Sequence, residues 1–279
     1  MPFGVYYSSS RMMKIDCQWW IGRKNVQERN LNHDPLFISS FLGNEFFLIG
    51  GTNKQVTVYT VEGMALETIT TKESWIWCCK TLGNRMIQLA KRIVIYETNE
   101  GELNYRIKEK MNIEIDCTIL MLCSSNLIVC HENQIQSLNF NGQLEKEWNF
   151  KCSVTHIKSV GGVPTKESLL IGLKDGQVLM IFLSNIIPVE LIKINNPIQY
   201  IDISMKRQKV AIIDDKNNCS VYDLRTEQLM FEEPSVNAVV WNNRFEDLLC
   251  FAGSGFIAIK MNDVPMQTIE FCDQARFEF

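Results

Sequence analysis

The chain has 279 residues, 46% of them hydrophobic and 22% charged, and its formal net charge is −4 at pH 7. This composition is typical of a packed globular protein and excludes an intrinsically disordered chain. The small negative charge supplies no field that would attract nucleic acid or an acidic membrane, so neither is expected as a partner. No apolar run approaches the roughly 20 residues that a membrane span requires, so direct membrane insertion is not expected.

The ten cysteines do not predict a disulfide framework. Residues 1–13 lack the basic start and the apolar stretch of a secretory signal. Cys79, Cys130, Cys219 and Cys250 lie inside or beside apolar runs, where cysteine serves as a small hydrophobic residue. We therefore expect reduced cysteines in the core of a cytoplasmic protein.

Short predicted strands follow one another along most of the chain. Residues 1–30 do not fit this pattern, since 17–21 predicts one strand and 22–30 a polar connection. From residue 36 onward, turn signals recur every roughly 6–10 residues, which leaves little room for helices of ordinary length. The predicted strands, four to a unit, are 37–41, 46–49, 55–59 and 64–70; 75–79, 86–89, 93–96 and 105–110; 115–122, 127–130, 135–140 and 144–148; 154–160, 169–171, 178–183 and 188–194; 198–203, 210–213, 219–222 and 228–231; 236–241, 248–251, 256–259 and 267–271.

The second strands of these units give the clearest periodic signal. They are centred on Leu48, Gln88, Ile128, Leu170, Ile212 and Leu249. Their spacing of roughly 40 residues is the period of a four-stranded propeller blade. The sequence therefore predicts an all-β fold, a WD40-like β-propeller of about six four-stranded blades. We expect the propeller over residues 31–273, a non-repeat segment or blade remnant at 1–30, and a tail at 274–279.

Two turns supply candidate contacts for a partner protein. Residues 174–177 (KDGQ) predict a two-residue hairpin turn, because Asp-Gly tolerates the positive φ angles of a twisted hairpin. Residues 206–209 (KRQK) form the most basic cluster of the repeats and predict an exposed turn between a first and a second strand. This turn is either simply solvated or a contact for an acidic partner. The candidate contact residues are Lys206, Arg207, Lys209, Lys174 and Asp175.

No set of residues predicts catalysis, a metal or a cofactor. His33, His131 and His156 share no metal-binding spacing, and no two cysteines have the CxxC spacing. Residues 253–255 (GSG) resemble part of a phosphate loop, but a strand and not a helix is predicted after them. Asp202 is an exception among the mostly apolar or neutral first strands, and one carboxylate does not make an acid–base pair.

Several long segments of unusual composition resemble one known family. They are 74–80 (SWIWCCK), 104–111 (NYRIKEKM), 144–150 (LEKEWNF), 157–164 (IKSVGGVP), 168–182 (SLLIGLKDGQVLMIF) and 229–242 (LMFEEPSVNAVVWN). They are similar to the WD-repeat subunits of intraflagellar transport complex A in which two propellers precede a helical solenoid. The similarity runs from about residue 30 to residue 271 and corresponds to the second propeller. About one blade's worth of family sequence is missing between Asn84 and Arg85, which puts closure of the ring in doubt.

The resemblance implies a non-catalytic scaffold and protein-interaction module that supports retrograde ciliary transport, cilium assembly and cargo entry. It implies as partners the other subunits of the complex and adaptors for ciliary membrane-protein cargo, and it implies no cofactor. The implied location is the cytoplasm, the cilium and the ciliary base at the basal body. Because fold alone does not fix function, two alternatives stay open: a coat-type propeller of vesicle trafficking and a six-bladed propeller hydrolase.

Overall fold

Antiparallel β-sheets make up the secondary structure of the described chain. The computed structural model describes residues 4–7, 12–16, 26–30, 35–41, 46–60, 64–70, 78–82, 85–89, 93–98, 105–110, 117–161, 167–242, 244–262 and 264–270. These ranges contain 27 strands and no helix. The strands form one three-stranded sheet and six four-stranded sheets, each built from consecutive strands. The predicted all-β repetition of about six four-stranded units is confirmed.

The first of two compact units contains residues 1–116, 139–143 and 275–279. Its three-stranded sheet consists of β1 (Gly4–Tyr7), β2 (Met12–Asp16) and β3 (Val26–Asn30). The prediction of a polar connection over 22–30 is wrong at β3, where a mostly polar segment pairs with β2 along its full length. The strand predicted at 17–21 lies outside the described residues. The domain boundaries at 30 and 273 stay predictions.

Two four-stranded sheets follow in this unit. Their strands are β4 (Pro35–Phe41), β5 (Phe46–Gly51), β6 (Gln55–Thr60), β7 (Ala65–Thr70), β8 (Cys78–Leu82), β9 (Arg85–Leu89), β10 (Ile93–Thr98) and β11 (Tyr105–Lys110). Strand β8 begins three residues later than the predicted 75–79, and the preceding residues 71–77 lie outside the described ranges. Leu82 pairs with Arg85, so two residues join β8 to β9 at the predicted junction of a first and a second strand.

The second unit contains residues 117–138 and 144–274. Its strands are β12 (Ile119–Leu122), β13 (Asn126–His131), β14 (Gln134–Asn139), β15 (Leu144–Asn149), β16 (Val154–Val160), β17 (Ser168–Leu173), β18 (Gln177–Phe182), β19 (Val189–Lys193), β20 (Ile198–Ile203), β21 (Lys209–Asp214), β22 (Cys219–Asp223), β23 (Leu229–Glu233), β24 (Val236–Trp241), β25 (Leu248–Gly253), β26 (Phe256–Met261) and β27 (Val264–Glu270). They form four sheets in chain order, and the first strands β16, β20 and β24 pack side by side.

Burial of the second strands on both faces explains their continuous apolar sequences. All six residues of β17 are buried. Leu169 and Ile171 pack in one cluster with Trp148 of the preceding sheet, whereas Leu170 packs in another with Ile201 of the following sheet. Successive side chains of a strand point to opposite faces, so one strand contributes to two inter-sheet cores. Stability therefore accumulates from contacts between neighbouring sheets, as in other repeat folds.

The turn after β17 differs from the predicted two-residue hairpin. Gly176 has a φ of +86°, but Asp175 keeps a negative φ. The N–H of Gly176 donates to the carbonyl of Leu173 at 3.1 Å, so the turn centres on Lys174 and Asp175 with a left-handed glycine after it. This is the three-residue hairpin loop in which a type I turn is followed by a bulge. The prediction of positive φ at both Asp and Gly is wrong.

Candidate functional site

The basic turn between β20 and β21 contacts the sheets on both sides of it. Arg207 has a φ of 60°, and its guanidinium donates to the carbonyl oxygen of Gly161, which follows β16 in the preceding sheet. The N–H of Lys206 donates to the carboxylate of Glu246, in the turn between β24 and β25 of the following sheet. The Lys206 side chain is exposed. Arg207 thus links the turn to the preceding sheet, whereas the Lys206 ammonium faces solvent.

Lys209 has a different environment from the predicted one. It is the first residue of β21 and is 9% exposed. Its ammonium donates to the carboxylate of Asp247 and, at 2.7 Å, to Oδ1 of Asn262, both in the following sheet. The prediction of an exposed turn is wrong for Lys209, because the strand begins at this residue and directs its side chain against the next sheet. Its role as a partner contact stays a prediction, and such a contact would have to break this pairing.

Lys174 and Asp175 lie at the opposite end of the strands from Lys206 and Arg207. Successive turns of an antiparallel sheet alternate between its two ends. The turn of Lys174 follows a second strand, whereas the turn of Lys206 follows a first strand. The five candidate residues therefore do not form one site.

The turn of Lys174 and Asp175 lines one side of an open cavity of about 410 Å³. The N–H of Lys174 donates to the carbonyl of Ser153 at 3.0 Å, which ties the turn to the link between β15 and β16. The carboxylate of Asp175 lies 3.7 Å from Nζ of Lys193, and Lys174 is exposed. The lining carries both charge signs and is too open to hold a small molecule tightly. It is formed by Glu132, Asn133, Lys151, Cys152, Ser153, Lys174 and Asp175.

Asp202 links the first strands of three successive sheets. It is 1% exposed, and its Oδ1 lies 2.6 Å from Nζ of Lys158 on β16. Its Oδ2 accepts a hydrogen bond of 2.8 Å from the N–H of Trp241 on β24, and its Oδ1 accepts one of 2.6 Å from the N–H of Ile203. All three of these groups are donors, so the carboxylate acts as a structural counter-charge. A general base would need a reacting proton within reach and a second group to share the chemistry.

The aromatic side chains two residues before Lys158 and two residues before Asp202 also contact each other. The ring centroids of His156 on β16 and Tyr200 on β20 lie 4.2 Å apart. Burial, followed by the negative charge of Asp202, raises the pKa of Tyr200 to about 12. Tyr200 is therefore a neutral phenol at physiological pH. The contact is a second side-chain link between the neighbouring first strands β16 and β20.

A serine–glutamate contact between neighbouring sheets occurs twice in the second unit. Oγ of Ser124 donates to Glu167 at 2.5 Å, and Oγ of Ser204 donates to Glu246 at the same distance. Each serine follows a first strand, and each glutamate precedes a second strand of the next sheet. Sequence reasoning missed both pairs, although their separations of 43 and 42 residues repeat the period of the sheets.

Three cysteines of the second unit, Cys130, Cys219 and Cys250, have thiols that burial keeps protonated. Cys130 and Cys219 are buried, as predicted, and Cys250 is partly buried. Burial raises the pKa of Cys130 and of Cys250 to about 11, and burial with the charge of Glu233 raises that of Cys219 to about 12. These thiols stay protonated at physiological pH, and the thiolate is the reactive form.

The described ranges contain neither a metal-binding cluster nor a membrane-spanning helix. No group of three or more His, Cys, Asp or Glu side chains in them is placed to bind a metal ion. The same ranges contain no helical segment with the length and apolarity of a membrane span.

Comparison with known proteins identifies the family. A family model described as the IFT122 second beta-propeller matches residues 79–274. The chain belongs to this family. The all-β, WD40-like propeller predicted from the sequence, and the resemblance to an intraflagellar transport subunit, are both confirmed.

Full-length relatives of this propeller are much longer than the chain. It is 32% identical to the intraflagellar transport protein 122 homolog of Homo sapiens, over 88% of this chain and 26% of that protein. It is 31% identical to the homolog of Xenopus tropicalis, over 88% of this chain and 27% of that protein. The chain thus spans about a quarter of the length of these relatives. The human alignment runs over 316 residues, more than the 279 of this chain, so it contains gaps in this chain.

Solved structures of distant sequence share the fold. Sqt1 of Saccharomyces cerevisiae matches with a TM-score of 0.72 at 13% identity, over 96% of this chain and 82% of that one. Hsv2 of Kluyveromyces lactis matches with a TM-score of 0.63 at 12% identity, over 81% of this chain and 73% of that one. At these identities the likeness concerns the fold alone.

Proposed function

We propose that this IFT122-type propeller is a non-catalytic scaffold and protein-interaction module of intraflagellar transport complex A. The observation that carries the proposal is the family match over residues 79–274. In this role the chain supports retrograde ciliary transport, cilium assembly and entry of cargo. Its partners are the other subunits of the complex and adaptors for ciliary membrane-protein cargo, and it works in the cytoplasm, the cilium and the ciliary base.

The structure supports action through surfaces. Asp202 is the one buried carboxylate that sequence reasoning singled out. It accepts contacts from three donors, two of which belong to the neighbouring sheets. Two exposed turns lie at opposite ends of the strands. One contains Lys206, and the other contains Lys174 and Asp175. We propose these turns as separate contacts for different partners. Arg207 and Lys209 act there as supports, because their cations bind neighbouring sheets.

Loss of the gene product in ciliated cells tests the proposal. Without this propeller, complex A should be recovered with fewer subunits, and retrograde transport should fail. Recovery of the whole complex in its normal amount would refute the scaffold role. Re-expression of a Lys206→Glu variant should restore the complex less well than a Lys216→Glu control, whose lysine lies in the exposed turn between β21 and β22.

Localisation and surface chemistry separate the alternatives. A coat-type propeller would be found on Golgi membranes instead of the ciliary base. A six-bladed hydrolase would lose activity on an ester substrate when Asp202 is replaced, whereas the scaffold has no such activity to lose.

A further inference from the structure

Two turns of neighbouring sheets in the second unit lie in direct contact. One is residues 204–208, between β20 and β21, and the other is residues 244–247, just before β25. Oγ of Ser204 and the N–H of Lys206 both donate to the carboxylate of Glu246. We call residues 204–208 and 244–247 the double turn. A partner that reaches one of these turns therefore meets the other as well.

Hydrogen bonds within each turn hold the double turn in one conformation. The N–H of Arg207 donates to the carbonyl of Ser204 at 2.9 Å. In the other turn, the N–H groups of Arg244 and Phe245 donate to Oδ1 of Asn242 at 2.8 and 3.0 Å. A preordered surface loses little conformational entropy when a partner covers it.

Each turn exposes one large apolar side chain beside a cation. Met205 is 49% exposed and Phe245 is 63% exposed. Lys206 and Arg244, their neighbours in the chain, are also exposed. Single exposed apolar residues are common on protein surfaces. The repetition of this pair in two turns that contact each other is what indicates a binding surface.

The two carboxylates of the double turn are engaged with other groups of the protein. Glu246 accepts the two hydrogen bonds from the neighbouring turn. Asp247 accepts from the ammonium of Lys209, which is buried. Each carboxylate thus already has a donor inside the protein.

The exposed cations of the double turn have no such counter-charge. Within the described ranges, no carboxylate forms an ion pair with Lys206 or Arg244. Arg207 donates to a main-chain carbonyl, which is a neutral group, so its charge is not balanced either. Charges of one sign at the rim of an interface select a partner of the opposite sign. The double turn therefore favours an acidic partner.

The basic surface is limited to these two turns. The next turn outward, between β22 and β23, holds Arg225 together with Glu227 and follows Asp223, so it does not extend the basic surface. The chain as a whole has a formal charge of −4. A broad anionic surface, such as a membrane or a nucleic acid, would be repelled by this negative charge. A short acidic segment of a protein would meet the double turn alone.

We infer that the double turn is a docking site for a short acidic segment of a partner protein that carries at least one large apolar side chain. The apolar side chain would pack against Met205 and Phe245, and the carboxylates would meet Lys206 and Arg244. An apolar centre with charges at its rim is the usual arrangement of a protein interface. The inference rests on the proposed contact role of the Lys206 turn and deepens it, because it adds a second turn and names the chemistry of the occupant.

A binding titration with the purified chain tests the inference. The probe is a short fluorescent peptide of glutamates and aspartates with two phenylalanines, and a peptide with lysine at every acidic position serves as its opposite. The acidic peptide should bind saturably. Lys206→Gln/Arg244→Gln should raise its Kd about threefold to tenfold and weaken its salt dependence. Met205→Ser/Phe245→Ser should raise the Kd at least about fivefold.

Two matched controls use other parts of the second unit. Lys151→Gln/Lys216→Gln removes two exposed charges at the opposite end of the strands. Ile186→Ser/Ile187→Ser removes two apolar side chains that are 63% and 69% exposed in the loop between β18 and β19. Both control variants should leave the Kd unchanged.

The test variants keep the hydrogen bonds of the double turn, because these bonds use the main-chain N–H groups of Lys206, Arg244 and Phe245. Their unfolding midpoints should therefore stay at the wild-type value. An equal Kd for either test variant and its control would overturn the inference. So would equal binding of the two peptides, no saturable binding of the acidic peptide, or tighter binding to phosphatidylserine vesicles or to an oligonucleotide than to the acidic peptide.

The docking site and the scaffold role can fail separately. If the acidic peptide does not bind while complex A still depends on the chain, the scaffold role stands and the docking site is refuted. If complex A forms without the chain while Lys206→Gln/Arg244→Gln weakens peptide binding, the docking site stands and the scaffold role is refuted.

Discussion

Replacing the buried carboxylate of Asp202 tests the idea that the propeller is held together between its sheets. Asp202→Asn keeps the shape of the side chain but removes its charge. An amide has one acceptor oxygen, so it cannot satisfy Lys158 and the N–H groups of Ile203 and Trp241 together. Loss of one partner from a buried ion pair costs about 3–5 kcal/mol. Since the Lys158 side chain is 32% exposed and can reach water, we expect the lower end, about 3 kcal/mol.

Equilibrium unfolding in guanidinium chloride measures this loss. Asp215→Asn, in an exposed turn of the same sheet, should change the free energy of unfolding by less than about 0.5 kcal/mol. In a double-mutant cycle with Lys158→Met, the coupling between the two positions should be about 1–2 kcal/mol. A free energy of unfolding for Asp202→Asn within about 0.5 kcal/mol of wild type would refute the reasoning.

Three further predictions follow from packing and pKa. Gly172→Ala should lower the free energy of unfolding by about 1–3 kcal/mol, because the added Cβ would lie 2.7 Å from a methyl carbon of β20. A Cβ at Gly161 would meet nothing within 4 Å, so Gly161→Ala is the control and should cost less. Denaturant curves in which both substitutions lower the free energy of unfolding equally would contradict the close packing at Gly172. Iodoacetamide should label Cys152 but not the buried Cys219 in the folded chain at pH 8, as measured by mass spectrometry, and rapid labelling of Cys219 would count against its burial. Burial opposes ionisation of Asp214, but hydrogen bonds from neighbouring N–H and amide groups outweigh it and hold the pKa of this carboxyl below its usual value. The stabilisation is therefore present above the unfolded-state pKa of about 3.9 and is lost as the pH falls through the lowered folded-state pKa. Asp214→Asn should cost about 1 kcal/mol at pH 7 and progressively less in acid, and a cost that does not change with pH would argue against this.

Strand positions were predictable because local pattern determines them. The predicted ranges 154–160, 198–203 and 236–241 coincide with β16, β20 and β24. Each is a run of apolar and polar residues closed by a turn signal, and each packs against the first strand of a neighbouring sheet, which enforces its pattern. Strand β8 is offset from its prediction, because the apolar run from Trp75 to Cys79 has no turn residue that fixes its start.

Turn geometry and side-chain pairing were less predictable. Asp-Gly at 175–176 is compatible with two hairpin types, and the choice depends on how β17 and β18 are staggered. In the sequence, Lys209 belongs to the basic cluster that predicts an exposed turn. Its burial depends on Asp247, which lies 38 residues away in the next sheet.

The inter-sheet contacts depend on chain segments about one repeat apart. Asp202 is recognisable in the sequence as an isolated carboxylate. No local sequence pattern predicts Lys158 and Trp241 as its partners. A paired search for Ser and Glu at the repeat spacing would have found Ser124 with Glu167. The fold thus follows from local periodicity, whereas the contacts that hold its sheets together need the three-dimensional arrangement.

Affinity purification of the tagged chain from ciliated cells tests the central claim most directly. The account predicts that subunits of intraflagellar transport complex A are the most enriched proteins, at amounts comparable to the chain itself. Enrichment of vesicle-coat subunits in their place, or recovery of the chain alone, would contradict it.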